Sequence, residues 1–491
     1  MHSPIVTPAE MRAAENAAFA RGITAAALME KAGAGIARAI RRFFPCAGKC
    51  IVFAGKGHNA GDAFVAARQL AREGWEIETR LIFAKEKLSA LTKKKLSELE
   101  KVSVQKESST SALNPPTVIL DGLLGLGANP PLREPIRGAC REINSLGRNG
   151  ACIFAVDLPS GLDGETGEAD EACVVANCTV TIGSAKSGLV ADAALDFVGR
   201  LEVVVLDDLR LDEFPFDQEV SIPHSLRACL PPRKFSSYKN QFGRIGIVAG
   251  SRGFTGAALM CSLGALRAGA GLVELFVPEN IYEIVASAAA PEVMVKPVRS
   301  YARLLEEPMD VWAVGPGLGQ THAAAILRLI REAKQPMVID ADGLSILGKK
   351  MSSLKKVKSP RLLTPHPGEM QRLFPNKKRS RVEWAKAFCQ QYPVTLLLKG
   401  SRTLVVEAGQ PLSFNSTGNP GMATGGMGDV LTGVCAGLLG ARLTPNEAAR
   451  VGAWVCGRAA EIAIFSGLAS EESLLPSDLL DHLGAAFKEL R

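Results

Sequence analysis

Two short stretches place a carboxylate where glycine usually prepares a seat for an anion. Residues 424–433 read TGGMGDVLTG, and residues 55–62 read GKGHNAGD. Each is a glycine-rich turn opening onto an apolar helix, and a helix N-terminus with unpaired N–H groups favours negative charge. Asp429 and Asp62 would repel a phosphate resting there, so each either caps its helix or takes part in chemistry. Two further carboxylates end apolar runs: Asp121 in ILDGLLGLG and Asp157 in VDLPSGLDGETG, with Ser160 close behind. A carboxylate at the end of a buried strand is costly unless something pairs with it. If Asn59, Asp121 and Ser160 converge, they make an all-oxygen cluster suited to a hard cation. Asp157 would then face a substrate as general acid or base.

These residues need a scaffold that brings loops together. Short β-branched runs alternate with Ala/Leu-rich helical stretches throughout, the pattern of parallel sheets covered by helices, an α/β class. In the first half the expected strands begin at Cys50, Trp75, Thr117, Cys152, Cys178 and Leu201. A second series begins at Arg244 (RIGIVAGS) and continues through LVELFVP, VWAVGPG, PMVIDADG, TLLLKG and RTLVVEA. Between them lies a stretch rich in proline and in charge of both signs. The expected organisation is a domain over 1–212, a linker over 213–231 and a second domain over 232–491. Ligands of open parallel sheets bind at the carboxyl ends of strands. The polar motifs of both halves fall there.

The bulk properties exclude several classes. At 491 residues the chain exceeds one ordinary core. Its net charge of +7 is modest and scattered, with no basic stripe to mark a nucleic-acid surface. The 11 cysteines include no C-x-x-C pair, which argues against a disulfide framework or zinc site and for a reducing cytoplasm. No apolar run is long enough to span a bilayer, and the N-terminal segment mixes acids and bases at helical spacing instead of forming a signal peptide. GKGHNA fits the G-x-G-x-x-G/A dinucleotide pattern, a weak signal alone. No G-x-x-x-x-G-K-[ST] motif appears, so a P-loop nucleotidase is not expected.

The first half resembles the NAD(P)H-hydrate epimerase domain through TPAEMRAAENAAFARGI, LMEKAG, GKGHNAGD, LDGLLGLG and DLPSGLDGETG. The resemblance implies a Rossmann-like three-layer α/β/α domain with a K⁺ site at Asn59, Asp121 and Ser160. It also implies substrate contacts from His58, Asn59, Ala60, Gly61 and Asp62, from the loop Gly125, Leu126, Gly127, Ala128, Asn129, Pro130 and Pro131, and from Asp157. The chain departs from the family at His58-Asn59-Ala60-Gly61-Asp62, where Asn-Asn-Gly-Gly-Asp is usual, and at Gly125-Leu126-Gly127, where Gly-Thr-Gly is common.

From Pro232 onward the chain resembles the ADP/ATP-dependent NAD(P)H-hydrate dehydratase domain, a relative of ribokinase-like kinases with a three-layer α/β/α fold. The carrying stretches are KNQFGRIGIVAGSRGFTGAA, RAGAGLV, GPGLG, VIDADGL, LTPHPGEM, LLKG and NSTGNPGMATGGMGDVLTG. Tyr238 stands where His is frequent. In that fold the Gly-Gly-x-Gly-Asp turn makes a nest of N–H groups for a transferring phosphoryl group. Its Asp, here Asp429, takes the proton of the hydroxyl being phosphorylated. The resemblance further implies that Ala257, Gly317, His366 and Asp429 contact the hydrated nicotinamide nucleotide. It assigns Lys399, Gly400, Ser401, Arg402, Thr403 and Gly428 to ADP or ATP, carried with Mg²⁺. It implies homo-oligomers built through the first domain, with small-molecule partners and neither nucleic acid nor membrane. Two rivals stay open at this level: a vitamin or sugar-alcohol kinase on the second fold, and a non-enzymatic nucleotide-binding module in the first half.

Overall fold

The computed structural model describes residues 2–103, 115–127, 130–375 and 379–491. The chain divides into two compact units, His2–Phe216 and Asp217–Arg491. The first unit runs β1 (Ile5–Val6), α1 (Pro8–Ala20), α2 (Ala25–Phe43), β2 (Lys49–Ala54), α3 (His58–Arg72), β3 (Glu76–Leu81) and α4 (Ala90–Ser103). It continues through β4 (Thr117–Gly122), α5 (Ile136–Arg148), β5 (Cys152–Val156), β6 (Cys178–Ile182), β7 (Ala185–Lys186), α6 (Leu195–Val198) and β8 (Arg200–Val204). Six strands form one parallel sheet in the order β3-β2-β4-β5-β6-β8, and β1 pairs with β7 beside it. Successive residues of a strand point to opposite faces. Cys50, Val52 and Ala54 of β2 therefore join a core with α1 to α4. Ile51 and Phe53 join a second core with α5 on the other face. This is the expected three-layer arrangement.

The second unit begins with β9 (Gln218–Ser221), α7 (Pro223–Leu226), β10 (Arg244–Val248), α8 (Thr255–Arg267), β11 (Leu272–Pro278), α9 (Tyr282–Ala288), β12 (Val293–Val298) and β13 (Val311–Val314). Next come α10 (Ala323–Glu332), β14 (Met337–Ile339), α11 (Ala341–Gly348), β15 (Arg361–Leu363), α12 (Pro367–Leu373), α13 (Arg381–Gln391) and β16 (Thr395–Leu398). β17 (Leu404–Val406), β18 (Leu412–Asn415), α14 (Met427–Gly440), α15 (Pro445–Phe465) and α16 (Pro476–Glu489) complete it. Its ten-stranded sheet has the order β12-β11-β10-β13-β14-β15-β16-β17-β18-β9. Only the β16–β17 and β17–β18 pairings are antiparallel. Among the described residues, no helix is long and apolar enough to cross a membrane. All 11 cysteines are free.

The stretch 213–231 is not a linker. β9 pairs in parallel with β18, Val220 and Leu226 are fully buried, and the Ser221 and Ser413 hydroxyls lie 2.7 Å apart. Its charge misled because part of it is internal: Glu219 is buried and paired with Arg450 at 2.8 Å. β12 and β15 were also invisible to strand pattern. β12 carries Pro297 on the sheet edge, where a missing N–H costs no ladder bond. β15 has three residues and opens on Arg361, fully buried, whose guanidinium donates to the carbonyls of Ile330 and Ala333 at the end of α10.

α14, the helix that follows the TGGMGD turn, packs backbone-to-backbone on α8. A Cβ at Gly433 would lie 1.9 Å from the Cys261 carbonyl oxygen, and one at Gly264 would lie 2.6 Å from that of Val430. Gly433→Ala must therefore push the two helices apart, with an expected loss of about 1–3 kcal/mol, as for overpacking elsewhere. Gly484→Ala in α16 meets nothing within 4 Å and should stabilise by roughly 0.5–1 kcal/mol through helix propensity. Thermal unfolding of the two variants should shift in opposite directions.

Candidate active sites

In the first unit the strand order makes β2, β4, β5 and β6 neighbours, so the loops at their carboxyl ends meet. Asp121 ends β4 with no exposed surface. Its carboxylate accepts from the Ser160 N–H at 2.8 Å, the Ser160 hydroxyl at 2.7 Å and the Leu123 N–H at 3.2 Å. Ser160 Oγ in turn accepts from the Leu124 N–H at 3.0 Å, and the Asn59 amide donates to the Leu124 carbonyl at 2.7 Å. Asn59, Asp121 and Ser160 thus converge through one residue of the intervening loop, with the Asn59 oxygen left over and turned towards Gly125. Burial raises Asp121 to about 6, against the lowering effect of its hydrogen bonds.

Asp157 follows β5 in the left-handed region, φ 68°. A non-glycine residue held there is strained, and such strain collects at functional positions. Among the described residues the hydrogen bonds to its carboxylate all fall on Oδ1, from Thr181 Oγ1 at 3.2 Å, the Ile182 N–H at 3.1 Å and the Lys186 ammonium. Lys186, on β7, has no exposed side-chain surface. Burial drives Asp62 well above the ordinary carboxylate range, reinforced by the Asp157 and Glu15 charges and opposed by Lys186. Glu15 is raised by burial and by Asp157, while Lys186, His58 and Arg12 oppose the shift. The cluster therefore holds three acids with one buried cation.

The remaining first-half residues sort by exposure. His58 is exposed at the start of α3, and Ala60 sits in the helix's first turn with no exposed surface. The helical backbone there needs none of glycine's freedom, and any ligand contact by Ala60 is through its backbone. The Leu126 carbonyl accepts from Arg12 at 2.7 Å, which ties the Gly125–Gly127 loop to α1. Pro131 is exposed and Pro130 half-buried. Ala128 and Asn129 lie outside the described residues.

In the second unit β13, β14, β15 and β16 are neighbours, and their loops converge on the start of α14. Asp340 ends β14, with Oδ1 accepting from Lys399 Nζ at 2.8 Å and Oδ2 from Thr432 Oγ1 at 2.7 Å. Glu369 Oε2 lies 3.9 Å from Lys399 Nζ and accepts from the His366 N–H at 2.8 Å. His366 is not a free loop residue. It caps α12, its Nδ1 accepting from the Gly368 N–H at 3.0 Å, which leaves the proton on Nε2. The Lys399 N–H donates to the Pro365 carbonyl at 2.9 Å and so joins the two loops. The loop from Lys399 to Thr403 is braced by Arg381, which donates to the Ser401 carbonyl at 2.9 Å, and by Thr403, which donates to the Gly400 carbonyl at 3.1 Å. Arg402 within it has φ 56°.

Gly426 caps α14 at φ 96°. Among the described residues, the N–H groups of Met427, Gly428 and Asp429 find no acceptor, as expected in a helix's first turn. A Cβ at Gly428 would stand 3.2 Å from Lys399 Nζ, so the ammonium lies close against this turn. Burial first, then the charges of Asp340 and Glu369, raise Asp429 to about 6, with Lys399 opposing. Burial works against the charge on Lys399, yet Asp340, Glu369 and Asp429 together lift its pKa. Ala257 and Gly317 adjoin each other: a Cβ at Gly317, φ 58°, would lie 3.0 Å from that of Ala257.

Lys186, Glu15, Asp340, Glu369 and Thr432 were not singled out from sequence. A lone lysine inside the small-residue run GSAKSG was the visible trace of Lys186. Asp340 and Glu369 stand in DADG and TPHPGE, motifs recognised there as loops.

Two family models match the chain: one described as YjeF-related protein N-terminus over residues 25–188, and one described as NAD(P)H-hydrate dehydratase over residues 245–483. A bifunctional NAD(P)H-hydrate repair enzyme Nnr of Moorella thermoacetica is 33% identical, with 99% of this chain and 97% of that one covered. The enzyme of the same name from Escherichia coli is 35% identical over 92% of this chain and 88% of its own. Among solved structures, the ADP/ATP-dependent NAD(P)H-hydrate dehydratase of Bacillus subtilis, co-crystallised with ATP/Mg²⁺, matches at 30% identity and TM-score 0.50, covering 55% of this chain and 98% of that one. A ribokinase-like superfamily protein of Enterococcus faecalis matches at 26% identity and TM-score 0.50 over 56% of this chain and 98% of its own. With relatives of this identity spanning nearly its whole length, the chain belongs to the family of bifunctional NAD(P)H-hydrate repair enzymes.

Proposed function

We propose that the first unit interconverts the R and S hydrates of NADH and NADPH, and that the second returns the S form to NAD(P)H at the expense of ADP or ATP. The observation that carries the second activity is Asp429 itself. It is a carboxylate of raised pKa one step from three unengaged backbone N–H groups, with Lys399 held against the same turn. Asp429 takes the proton of the C6 hydroxyl as that oxygen attacks the terminal phosphorus, whose bond to the nucleotide's bridging oxygen breaks. The N–H groups of Met427, Gly428 and Asp429 receive the charge that develops on the moving phosphoryl group. The ring-nitrogen lone pair then expels phosphate from C6, and loss of a C5 proton restores the dihydropyridine. Lys399 to Thr403 and Gly428 hold the nucleotide, while Ala257, Gly317 and His366 hold the hydrate.

Mg²⁺ arriving with the nucleotide would neutralise phosphate charge beside Asp429; among the described residues no group of three acidic, histidine or cysteine side chains could hold the ion unaided. In the first unit, Asn59, Asp121 and Ser160 offer oxygen only, with a single buried carboxylate among them. That donor set and charge fit one monovalent hard cation, read as K⁺, which would support the loop facing the hydrate. Asp157 assists reversible loss of the C6 hydroxyl, and the loops of His58 to Asp62 and Gly125 to Pro131 hold the rest of the nucleotide. A homo-oligomer formed through this unit and a cytoplasmic setting complete the reading.

Asp429→Asn should slow ADP- or ATP-driven return of the near-ultraviolet absorbance of the dihydropyridine by about 10²–10⁴-fold, with epimer exchange at the parental rate. Because the base must be ionised, kcat/KM for the parent should fall as pH drops through about 6. Accumulation of a stable phosphorylated product in place of phosphate and NADH would favour a simple kinase.

Asp121 gives a second test. Its folded pKa of about 6 lies above its ordinary value, so ionising it costs stability as pH rises through that range. A cation bound to the ionised form offsets this cost. K⁺ should therefore raise the first unit's thermal midpoint at pH 8 and have little effect at pH 5. Asp121→Asn should remove the difference. Equal stabilisation by a choline salt would count against the cation site.

A further inference from the structure

The ion pair between Lys186 and Asp157 has no role in the reading above. Lys186 enters from β7, is buried completely, and its ammonium donates to Asp157 Oδ1, to Thr181 Oγ1 at 3.0 Å and to the Ile182 carbonyl at 2.8 Å. The Lys186 ammonium and the Ile182 N–H are thus fixed on one oxygen of Asp157, with the Thr181 hydroxyl shared between that oxygen and the Ser184 carbonyl, while Oδ2 accepts no hydrogen bond from the described residues. The left-handed backbone at Asp157 holds the carboxylate in this setting. A buried lysine serving only stability is poorly explained here, since a buried ion pair is often matched or bettered by apolar residues of similar size.

We propose that Lys186 is a positioning residue for hydrate epimerisation: anchored on Oδ1, it keeps Asp157 a charged carboxylate and leaves Oδ2 as the oxygen that exchanges a proton at C6. The inference rests on the assignment of Asp157 to that reaction. In the outward step the C6–O bond breaks, the N1 lone pair forms the N1–C6 double bond, and the hydroxyl leaves as water with a proton from a neutral carboxyl. Asp62 is the group suited to that, since its surroundings favour the neutral form. In the return step water adds to the opposite face of C6 and gives a proton to Asp157 Oδ2, while the π electrons return to N1. The proton has then passed from Asp62 to Asp157, and the next turnover runs the relay in reverse or resets through solvent. Two acids of unlike environment serve as donor and acceptor, and the lysine separates them.

Thr181 of β6 and Lys186 of β7 bond Asp157, Asp62 of α3 and Glu15 of α1 feel its charge, and Arg12 of α1 and His58 of α3 act on Glu15. Without the ammonium, Asp157 loses the one buried counter-charge bonded to it and is left beside the Asp62 and Glu15 carboxyls. The test follows R-to-S exchange by chromatography across pH in Lys186→Met, Lys186→Gln and Lys186→Arg. ADP-driven recovery of NADH from the pure S form is measured on the same preparations. Lys186→Met and Lys186→Gln should lower kcat for exchange at neutral pH by about 10²-fold or more, with KM nearly unchanged and the acid limb moved to higher pH. Lys186→Arg should keep the acid limb in place, and S-form dehydration should be parental in all three. Lys186→Gln can still hydrogen-bond Asp157, so it keeps the test decisive if the methionine variant does not fold. Parental exchange in Lys186→Gln, or a loss with an unmoved acid limb shared by the arginine variant, overturns the role of Lys186 alone. A parent protein with no exchange activity overturns the epimerase reading and this inference with it.

Discussion

Both units rest on one electrostatic constraint: a carboxylate at the end of a buried parallel strand must find a cation without leaving the interior. Asp157 after β5 and Asp340 after β14 are both nearly inaccessible, and each is met by a lysine from another part of the fold: Lys186 of β7, which pairs with β1, and Lys399, which follows β16 two strands away. Neither lysine could pair with its aspartate if the sheet order changed, since each partner is supplied by a different loop. The parallel sheet is thus what makes the charge pairing possible. The pairing in turn is what allows acids to be kept in the interior instead of being replaced by apolar side chains.

A single cation among several acids also sorts them. In the second unit Lys399 is bonded to Asp340, which is also fixed by Thr432, so the remaining carboxylate, Asp429, carries the upward shift. In the first unit Lys186 is bonded to Asp157, and the shift falls on Asp62 and Glu15. A carboxyl of raised pKa exchanges protons more readily near neutral pH, whereas a lysine bonded to a carboxylate commits one of its oxygens to a fixed contact. Glycine enters the same logic at Gly428, where a Cβ would stand 3.2 Å from Lys399 Nζ and the end of the lysine would have to give way slightly.

Much of this was legible in the sequence because strands and glycine turns have local signatures. The six strands of the first sheet all stood out as apolar runs. Asn59, Asp121 and Ser160 were readable as a cluster because buried strand-end polar residues demand partners. What escaped was set by non-local pairing. β9 was masked by proline and charge, yet Glu219 is internal and balanced by Arg450 over two hundred residues away. Lys186 and Asp340 look like ordinary loop charges until the sheet order places them against Asp157 and Lys399. His366 showed as a proline-flanked loop residue, but its capping of α12 depends on the backbone of Gly368 and Glu369, which periodicity does not report.

The second unit raises the question of how a kinase-like architecture can act as a lyase without a second set of catalytic groups. The answer lies in the substrate's chemistry. A phosphate ester on C6 sits next to a ring nitrogen whose lone pair can expel it, so the phosphorylated hydrate carries its own driving force for elimination. Hydroxide is a poor leaving group and phosphate a good one, and the whole catalytic demand falls on converting one into the other. One base and one nest of backbone amides would meet that demand, and the first turn of α14 holds a carboxyl of raised pKa, Asp429, beside N–H groups that find no acceptor among the described residues. The same residues on a substrate lacking that nitrogen would stop at the phosphate ester. The distinction between kinase and dehydratase on this fold is therefore one of which substrate is admitted, not of the phosphoryl-transfer apparatus.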